Sequence, residues 1–198
     1  MTHPTEVLLP GSADEAVALF GDGDDVTVIG GGTIVVPDIT AGRTAPGKAL
    51  MLGRAGLAGV TREGSRISIG AATPVAALVE LGAPVGPCAA NVADGEIRGQ
   101  GTVGGNLCAG EGPDAPRGDL QGALLAVGAT VRSAGAGGIT EEPLEEFLPK
   151  RRRRLILEQD QKIFDADADH GNRHHFEGDL AGGIFAPMQD VLAADRDM

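Results

Sequence analysis

A β-branched run that stops at three consecutive glycines constrains this chain more than any other feature. Val26 to Ile29 has the composition of a strand, and Gly30-Gly31-Gly32-Thr33 follows it directly. Glycines after a strand let the backbone approach a ligand closely, so that consecutive N–H groups can point at a phosphate. A helix that begins after Thr33 would add the attraction of its positive end for an anion. The segment predicts either an anion-binding loop or a plain tight turn, and alone it does not separate the two.

Two well-known phosphate loops do not fit this segment. A Rossmann dinucleotide loop needs G-x-G-x-x-G and an acidic residue about 20 positions later. Gly30 and Gly32 supply the first two glycines, but Val35 stands at the third position and Ala49 to Gly53 holds no acidic residue. A P-loop needs Gly-Lys followed by Ser or Thr, which does not occur here.

A second glycine-dense segment has similar chemistry. The turn predicted over Gly99 to Gly105 runs into Asn106, and offers small residues, the Thr102 hydroxyl, exposed amides and one side-chain amide. We expect the two loops to hold the two ends of a long anionic ligand. A dinucleotide has this shape, because its diphosphate lies between two ring systems.

The rest of the chain mixes short helices and short strands. The capping box Ser12-Ala13-Asp14-Glu15 predicts a helix over Ala13 to Phe20. Further predicted helices cover Val75 to Leu81, Val85 to Val92, and Asp119 to Val127 with Asp119 as its cap. Further predicted strands cover Ala49 to Leu52, Arg66 to Gly70 and Ala129 to Ser133.

Composition narrows the class of protein. Aromatic residues make up only 3 percent of the chain, so the core must be built from aliphatic side chains. The net charge of −12 repels nucleic acid, and no apolar run approaches the ~20 residues of a membrane span. With no secretory signal pattern at the N-terminus, we expect a cytoplasmic protein. Cys88 and Cys108 are too few to hold an iron–sulfur cluster, and are expected to be small, buried, apolar residues.

The pattern changes near Pro149. Residues 1–148 are well patterned, whereas residues 149–198 are charged and irregular. The basic run Lys150 to Arg154 is interpreted as a solvated linker or a docking segment. The later His and Asp residues match no metal-binding motif, so no metal site is expected; they are His170, His174, His175, Asp165, Asp167 and Asp169.

Three stretches in a fixed order carry a further signal. The first is Val28 to Thr33 with Val35-Val36-Pro37. The second is Ala93-Asp94 with Glu96-Ile97-Arg98 and Gly101 to Leu107. The third is Gly118-Asp119-Leu120 with Leu124 to Val131. Together they resemble the FAD-binding subunit of molybdenum hydroxylases of the xanthine dehydrogenase and carbon monoxide dehydrogenase type, over roughly residues 5–148.

The resemblance implies an α+β fold of the molybdopterin dehydrogenase (PCMH) type, in which FAD lies between two subdomains. It implies no catalytic residue and no metal ligand on this chain. The implied cofactor-binding residues are Val28, Ile29, Gly30, Gly31, Gly32, Thr33 and Ile34 on the diphosphate and adenosine side, Thr102, Gly104, Gly105 and Asn106 on the second wall, and Asp119 as a hydrogen-bonding partner.

The chain departs from the family pattern at three places. Ile34 stands where the family often has an acidic residue, and the stretch from Leu107 to Gly118 is longer than usual. Residues 149–198 do not resemble the family's C-terminal domain, which is therefore expected to be truncated.

The resemblance further implies electron transfer. Electrons would pass from a molybdenum-cofactor subunit, through the clusters of a two-iron two-sulfur subunit, to FAD and then to an acceptor such as NAD. Two alternatives stay open at this point: a stand-alone flavin oxidoreductase, and a non-catalytic, truncated assembly module that has lost its flavin.

Overall fold

Two sheets of different type organise the computed structural model, which describes residues 4–110 and 118–162. A parallel sheet with the order β1-β3-β2 contains β1 (Glu6–Leu8), β2 (Val26–Ile29) and β3 (Lys48–Met51). An antiparallel sheet with the order β4-β5-β8-β6-β7 contains β4 (Val60–Glu63), β5 (Arg66–Gly70), β6 (Thr130–Gly135), β7 (Gly138–Pro143) and β8 (Leu155–Lys162).

Short helices connect the strands. The α-helices are α1 (Ala13–Phe20), α2 (Val35–Thr40), α3 (Val85–Ala90), α4 (Gly95–Gln100), α5 (Val103–Cys108), α6 (Asp119–Ala126) and α7 (Leu144–Phe147). Three 3-10 helices cover Leu52–Arg54, Val75–Leu78 and Leu148–Arg153.

Helix α1 has the bounds that its capping box predicts. The Ser12 hydroxyl accepts a hydrogen bond from the Glu15 amide at 3.1 Å, and the Glu15 carboxylate accepts one from the Gly11 amide at 2.7 Å. These bonds satisfy amides that a helix start leaves without intrahelical partners. Ala16 and Phe20, four residues apart on one face, are buried.

Two hydrophobic cores correspond to two subdomains. One core joins α1 and β3 to the start of β8, through residues such as Phe20, Leu50 and Leu155. The other joins the antiparallel sheet to the helices α3, α5, α6 and α7, and includes Leu120 and Phe147. Both are predominantly aliphatic, as the scarcity of aromatic residues requires. The predicted two-subdomain α+β fold is confirmed.

Several elements differ from the sequence-based expectations. The helix predicted over Val75 to Leu81 is a 3-10 turn that ends at Leu78. The turn predicted over Gly99 to Gly105 is the end of α4 and the start of α5, because the Thr102 hydroxyl caps α5 by accepting from the Gly105 amide at 3.2 Å. Asp119 is the first residue of α6, not its cap.

Strand β8 lies beyond the boundary predicted near Pro149. It pairs with both β5 and β6 in the middle of the antiparallel sheet, and Leu155, Ile156 and Leu157 are buried. The described fold therefore continues to Lys162, because the sheet needs this strand to join its two hairpins. The rest of the predicted tail, with its histidines and aspartates, lies outside the described residues.

The basic run contributes side chains to this fold, which corrects its interpretation as a solvated linker or a docking segment. Lys150 forms an ion pair with Glu142. Arg151 donates to the carbonyl oxygens of Leu148 at 2.6 Å and Gly110 at 3.1 Å. Arg154 fastens the start of β8 to the β6–β7 hairpin, as described with the second cavity below.

Neither a membrane span nor a metal cluster is found in the described ranges. No helix there is long and apolar enough to cross a bilayer, and no three His, Cys, Asp or Glu side chains come together. The cytoplasmic location and the lack of a metal site stay predictions.

Candidate functional site

A cleft of about 300 Å³ lies where the loop after β2 meets α4, α5 and α6. Its volume is at the lower end of the range of ~300–1,000 Å³ typical of ligand sites. Ten of the twelve residues predicted from the sequence line it, namely Val28, Gly30, Gly31, Gly32, Thr33, Ile34, Thr102, Gly105, Asn106 and Asp119. The structure therefore brings the two glycine segments and Asp119 together.

Two predicted residues do not line this cleft. Ile29 is buried, with 4% of its surface exposed. Gly104 packs against Ala71, whose carbonyl oxygen accepts from the Gly104 amide at 2.9 Å. Gly104 borders a second cavity of about 70 Å³ instead.

The second cavity also touches Arg154. This guanidinium donates to the Ser133 hydroxyl at 3.0 Å, to the Ser133 carbonyl at 2.7 Å and to the Thr140 hydroxyl. Because Ser133 is fully buried, these bonds satisfy polar atoms that water does not reach.

The first glycine loop presents backbone donors to the cleft. Among the described residues, the amides from Gly30 to Ile34 donate to no protein acceptor. Gly32 has a φ of +74°, a conformation that glycine adopts without strain, and its carbonyl accepts from the Val36 amide as α2 begins. These residues are half-buried at the cleft surface, and a run of consecutive amides without protein acceptors suits an anionic ligand.

The glycines at 30 and 31 are required by contact between the two loops. A Cβ atom on Gly31 would lie 1.8 Å from the Gln100 carbonyl oxygen, and one on Gly30 would lie 2.3 Å from the Thr102 hydroxyl. The loops are therefore in direct contact and form one continuous surface, where the sequence suggested two loops at the two ends of a ligand.

The second segment offers few free amides, contrary to expectation. The Val103 amide donates to the Thr73 carbonyl at 2.9 Å, and the Gly104 and Gly105 amides are bonded as described above. Carbonyl oxygens of Ala71 and Thr73 accept from two of these amides and the α5 cap accepts from the third, which the sequence pattern could not show. This wall presents side chains and apolar surface.

Asn106 and Asp119 lie at the junction of α5 and α6. The Asn106 carbonyl oxygen Oδ1 accepts from the Leu120 amide at 2.9 Å, so Asn106 caps α6 in place of Gly118. Its NH₂ group is left as a donor for the cleft. The Asp119 side chain is exposed, and its backbone carbonyl accepts from the Cys88 thiol at 3.1 Å.

The structure adds lining residues that the sequence reasoning did not assign. They are mainly apolar or small: Val35, Val75, Val92, Ala93, Ile97, Gly101, Cys108 and Ala109. Val35, Ala93, Ile97 and Gly101 belong to the stretches that carry the family resemblance, whereas no sequence signal marked Val75. Together they give the cleft an apolar wall beside its row of amides.

Both cysteines are held as neutral thiols. Burial raises the pKa of Cys88, and the Asp119 carboxylate raises it further. Burial raises the pKa of Cys108 to about 11, against the opposing effect of the Arg151 guanidinium. Because the thiolate is the reactive form, these residues act as packing groups beside the cleft, but both are partly buried and not buried as the sequence-based interpretation expected.

The sequence matches the family described as FAD binding domain in molybdopterin dehydrogenase over residues 3–164. The chain belongs to this family. Its cofactor is FAD, and the family is one of oxidoreductases.

A curated relative supports the same family assignment. The chain is 32% identical over 145 residues to the 6-hydroxypseudooxynicotine dehydrogenase complex subunit alpha of Paenarthrobacter nicotinovorans, a match over 69% of this chain and 48% of the relative. It thus spans about half the length of that relative.

Solved structures share the fold. A chain of carbon monoxide dehydrogenase from Hydrogenophaga pseudoflava aligns with a TM-score of 0.71 and 26% identity, over 84% of this chain and 61% of that one. A chain of quinoline 2-oxidoreductase from Pseudomonas putida 86 aligns with a TM-score of 0.66 and 19% identity, over 80% and 59% of the two chains, and shows the fold alone.

The cleft fits FAD on its own chemistry. The unbonded amides from Gly30 to Ile34 match the needs of a diphosphate, and they require no basic side chain. The apolar residues Val35, Val75 and Ile97 match the needs of a ring system. Asn106 and Asp119 add side-chain polar groups at the junction of α5 and α6.

Proposed function

We propose that this chain is the FAD-binding, electron-transfer subunit of a molybdenum hydroxylase complex. The observation that carries the proposal is the cleft itself, in which a row of unpaired amides faces an apolar wall. We assign the amides from Gly30 to Ile34 to the diphosphate. Asn106 and Asp119 hydrogen-bond further polar groups of the cofactor.

FAD, when bound, supplies the ability to accept and release electrons, and the protein supplies position and environment. The chain's residues do three things. The first loop binds the anionic part, the apolar wall excludes water from the ring system, and the bonded framework of α5 and α6 fixes the geometry. The cleft residues Thr102 and Asn106 belong to that framework, because each also caps a helix.

The partners in this proposal are a molybdenum-cofactor subunit and a two-iron two-sulfur subunit. In such a complex, FAD held by the amides from Gly30 to Ile34 with Asn106 and Asp119 would supply the ability to take up electrons from the partner subunits and release them to an external acceptor such as NAD. Support comes from the relatives, since one is a subunit of a dehydrogenase complex and another belongs to a carbon monoxide dehydrogenase whose structure was solved without the Mo-pyranopterin moiety of its molybdenum cofactor.

The first experiment measures the cofactor. The purified full chain is examined by visible absorption, and the flavin released on denaturation is identified as FAD or FMN. Near-stoichiometric FAD, bound on purification or on addition of free FAD, is the expected result. A colourless chain that takes up no FAD would contradict the proposal and favour the non-catalytic assembly module.

The second experiment separates electron transfer within a complex from stand-alone activity. The FAD-loaded chain is reduced anaerobically and mixed with NAD, and reoxidation is followed at the flavin absorption band. The tagged chain is then purified from its native host and assayed for molybdenum, for iron–sulfur signals by electron paramagnetic resonance, and for flavin. Turnover of an organic substrate by the isolated chain, with no molybdenum or iron associated, would support the stand-alone oxidoreductase instead.

A further inference from the structure

One wall of the cleft is a backbone turn in an uncommon conformation. The turn between α3 and α4 contains Val92 and Ala93, and both line the cleft. Ala93 has a φ of +41°, which places a residue with a side chain in the left-handed region. This conformation costs roughly 1–2 kcal/mol in a residue other than glycine, so neighbouring contacts must hold it.

The side chain of Arg98 supplies these contacts. Its Nη1 atom donates to the Val92 carbonyl at 2.9 Å and to the Ala93 carbonyl at 2.9 Å. Arg98 is partly buried on α4 and is not among the cleft-lining residues. Its effect on the cleft is therefore transmitted through the turn.

Hydrogen bonds at both ends of α4 hold the neighbouring part of the same wall. The Asp94 carboxylate caps the helix by accepting from the Ile97 amide at 2.8 Å. At the other end, the Ile97 carbonyl accepts from the Gly101 amide at 2.6 Å. Ile97 and Gly101 line the cleft as well. Arg98 therefore holds the turn at one end of this wall, and the backbone bonds of α4 hold the other end.

We propose that Arg98 is a positioning residue for FAD, which holds the left-handed turn at Ala93 in the shape that the cofactor requires. This inference rests on FAD binding in the cleft, as proposed above. Hydrogen bonds from a charged donor are stronger than neutral ones, and two of them on adjacent carbonyls restrict the turn. Without them, the turn relaxes toward ordinary backbone angles and the wall shifts.

The test compares Arg98→Met with Arg62→Met in the full chain. Arg98→Met keeps most of the apolar stem but removes the donors, whereas Arg62 lies exposed on β4, away from the cleft, and serves as the matched control. We expect the Kd for FAD to rise about 10-fold in Arg98→Met, equivalent to about 1.4 kcal/mol, and to stay unchanged in Arg62→Met. The circular dichroism of the bound flavin should change in the first variant only.

A second readout needs no cofactor. In the apo chain, amide hydrogen exchange should accelerate about 10-fold or more over residues 92–97 in Arg98→Met, with the core strands unaffected. If Arg98→Met does not fold, Arg98→Lys replaces it, because it keeps the charge and loses the planar donor group. The same direction is expected for Arg98→Lys, with at least a 3-fold rise in Kd.

The outcomes are distinguishable. A wild-type chain that binds no FAD refutes the proposed function and this inference with it. A wild-type chain that binds FAD, together with an Arg98 variant of unchanged Kd and unchanged exchange over residues 92–97, refutes the inference alone. A variant in which exchange rises equally throughout the chain also refutes it, since Arg98 would then contribute to global stability only.

Discussion

Substitution of Gly31 by alanine tests whether the contact between the two loops builds the cofactor site. The new Cβ would lie 1.8 Å from the Gln100 carbonyl oxygen, 2.6 Å from its carbon and 3.0 Å from the Gly101 Cα. Ordinary van der Waals contact begins near 3.4 Å, so the backbone at Gln100 and the first loop must separate by roughly 1.6 Å. All three neighbouring atoms are backbone, and none can rotate away.

Two losses follow from this separation. Overpacking of this kind lowers the free energy of unfolding by about 1–3 kcal/mol. For a domain of this size, a decrease near 2 kcal/mol lowers Tm by roughly 4–8 °C. The amides from Gly30 to Ile34 also move relative to α5, and each hydrogen bond to a charged group that is lost weakens binding by about 1.5–3 kcal/mol. We therefore expect the Kd for FAD to rise by about 10- to 100-fold, as measured by quenching of flavin fluorescence.

The control is Gly99→Ala, at the residue that directly precedes Gln100. A Cβ on Gly99 would meet nothing within 4 Å, and the position lies inside α4, where alanine stabilises a helix by up to about 1 kcal/mol relative to glycine. This variant should match or exceed the wild type in Tm and bind FAD normally. A Gly31→Ala chain with wild-type Tm and wild-type Kd would refute the reasoning that the loops must touch.

Three further variants test the framework around the cleft. Thr102→Val removes the hydroxyl that accepts from the Gly105 amide, and should lower the free energy of unfolding by about 1 kcal/mol in urea melts; an unchanged midpoint would exclude the cap. Arg154→Met leaves buried Ser133 without its charged donor and should lower the free energy of unfolding by about 1.5–3 kcal/mol in urea melts. A loss below about 0.5 kcal/mol would show that these hydrogen bonds do not stabilise the fold. Burial raises the pKa of Cys108 from 9.0 to about 11, so the folded state keeps its proton at a pH where the unfolded state loses it. The free energy of unfolding should therefore be unaffected by this group below pH 9 and should fall as pH rises from 9 to 11. Cys108→Ala should flatten that decline in a pH series of melts, and an equally steep decline would show that another group causes it.

The sequence predicts local elements well where a single residue pattern decides them. The capping box at Ser12 and the β-branched run at Val26 sufficed to place α1 and β2. The glycine loops were located correctly, yet the reason for their glycines was only partly foreseen, because contact between Gly31 and Gln100 depends on the packing of distant segments.

Positions whose role depends on tertiary contacts were not predictable in the same way. Asn106 caps a helix that begins after a long connection, and Arg98 bonds carbonyls in a turn whose left-handed residue is an alanine. Strand β8 follows a run of basic residues, which is a surface signal on its own. Its buried leucines and isoleucine are few, and the partners that make it a central strand lie far away in sequence.

The central position of β8 has a consequence for biosynthesis. Its neighbours β5 and β6 are synthesised before it, so each has one edge with unpaired backbone groups until residues 155–162 have been synthesised. Unpaired strand edges are templates for association with other chains. The nascent chain therefore passes through an interval in which it can pair with the wrong partner, and slow translation or a stop before Leu155 lengthens that interval. A chaperone that binds extended, unpaired strands would act on this protein during that interval.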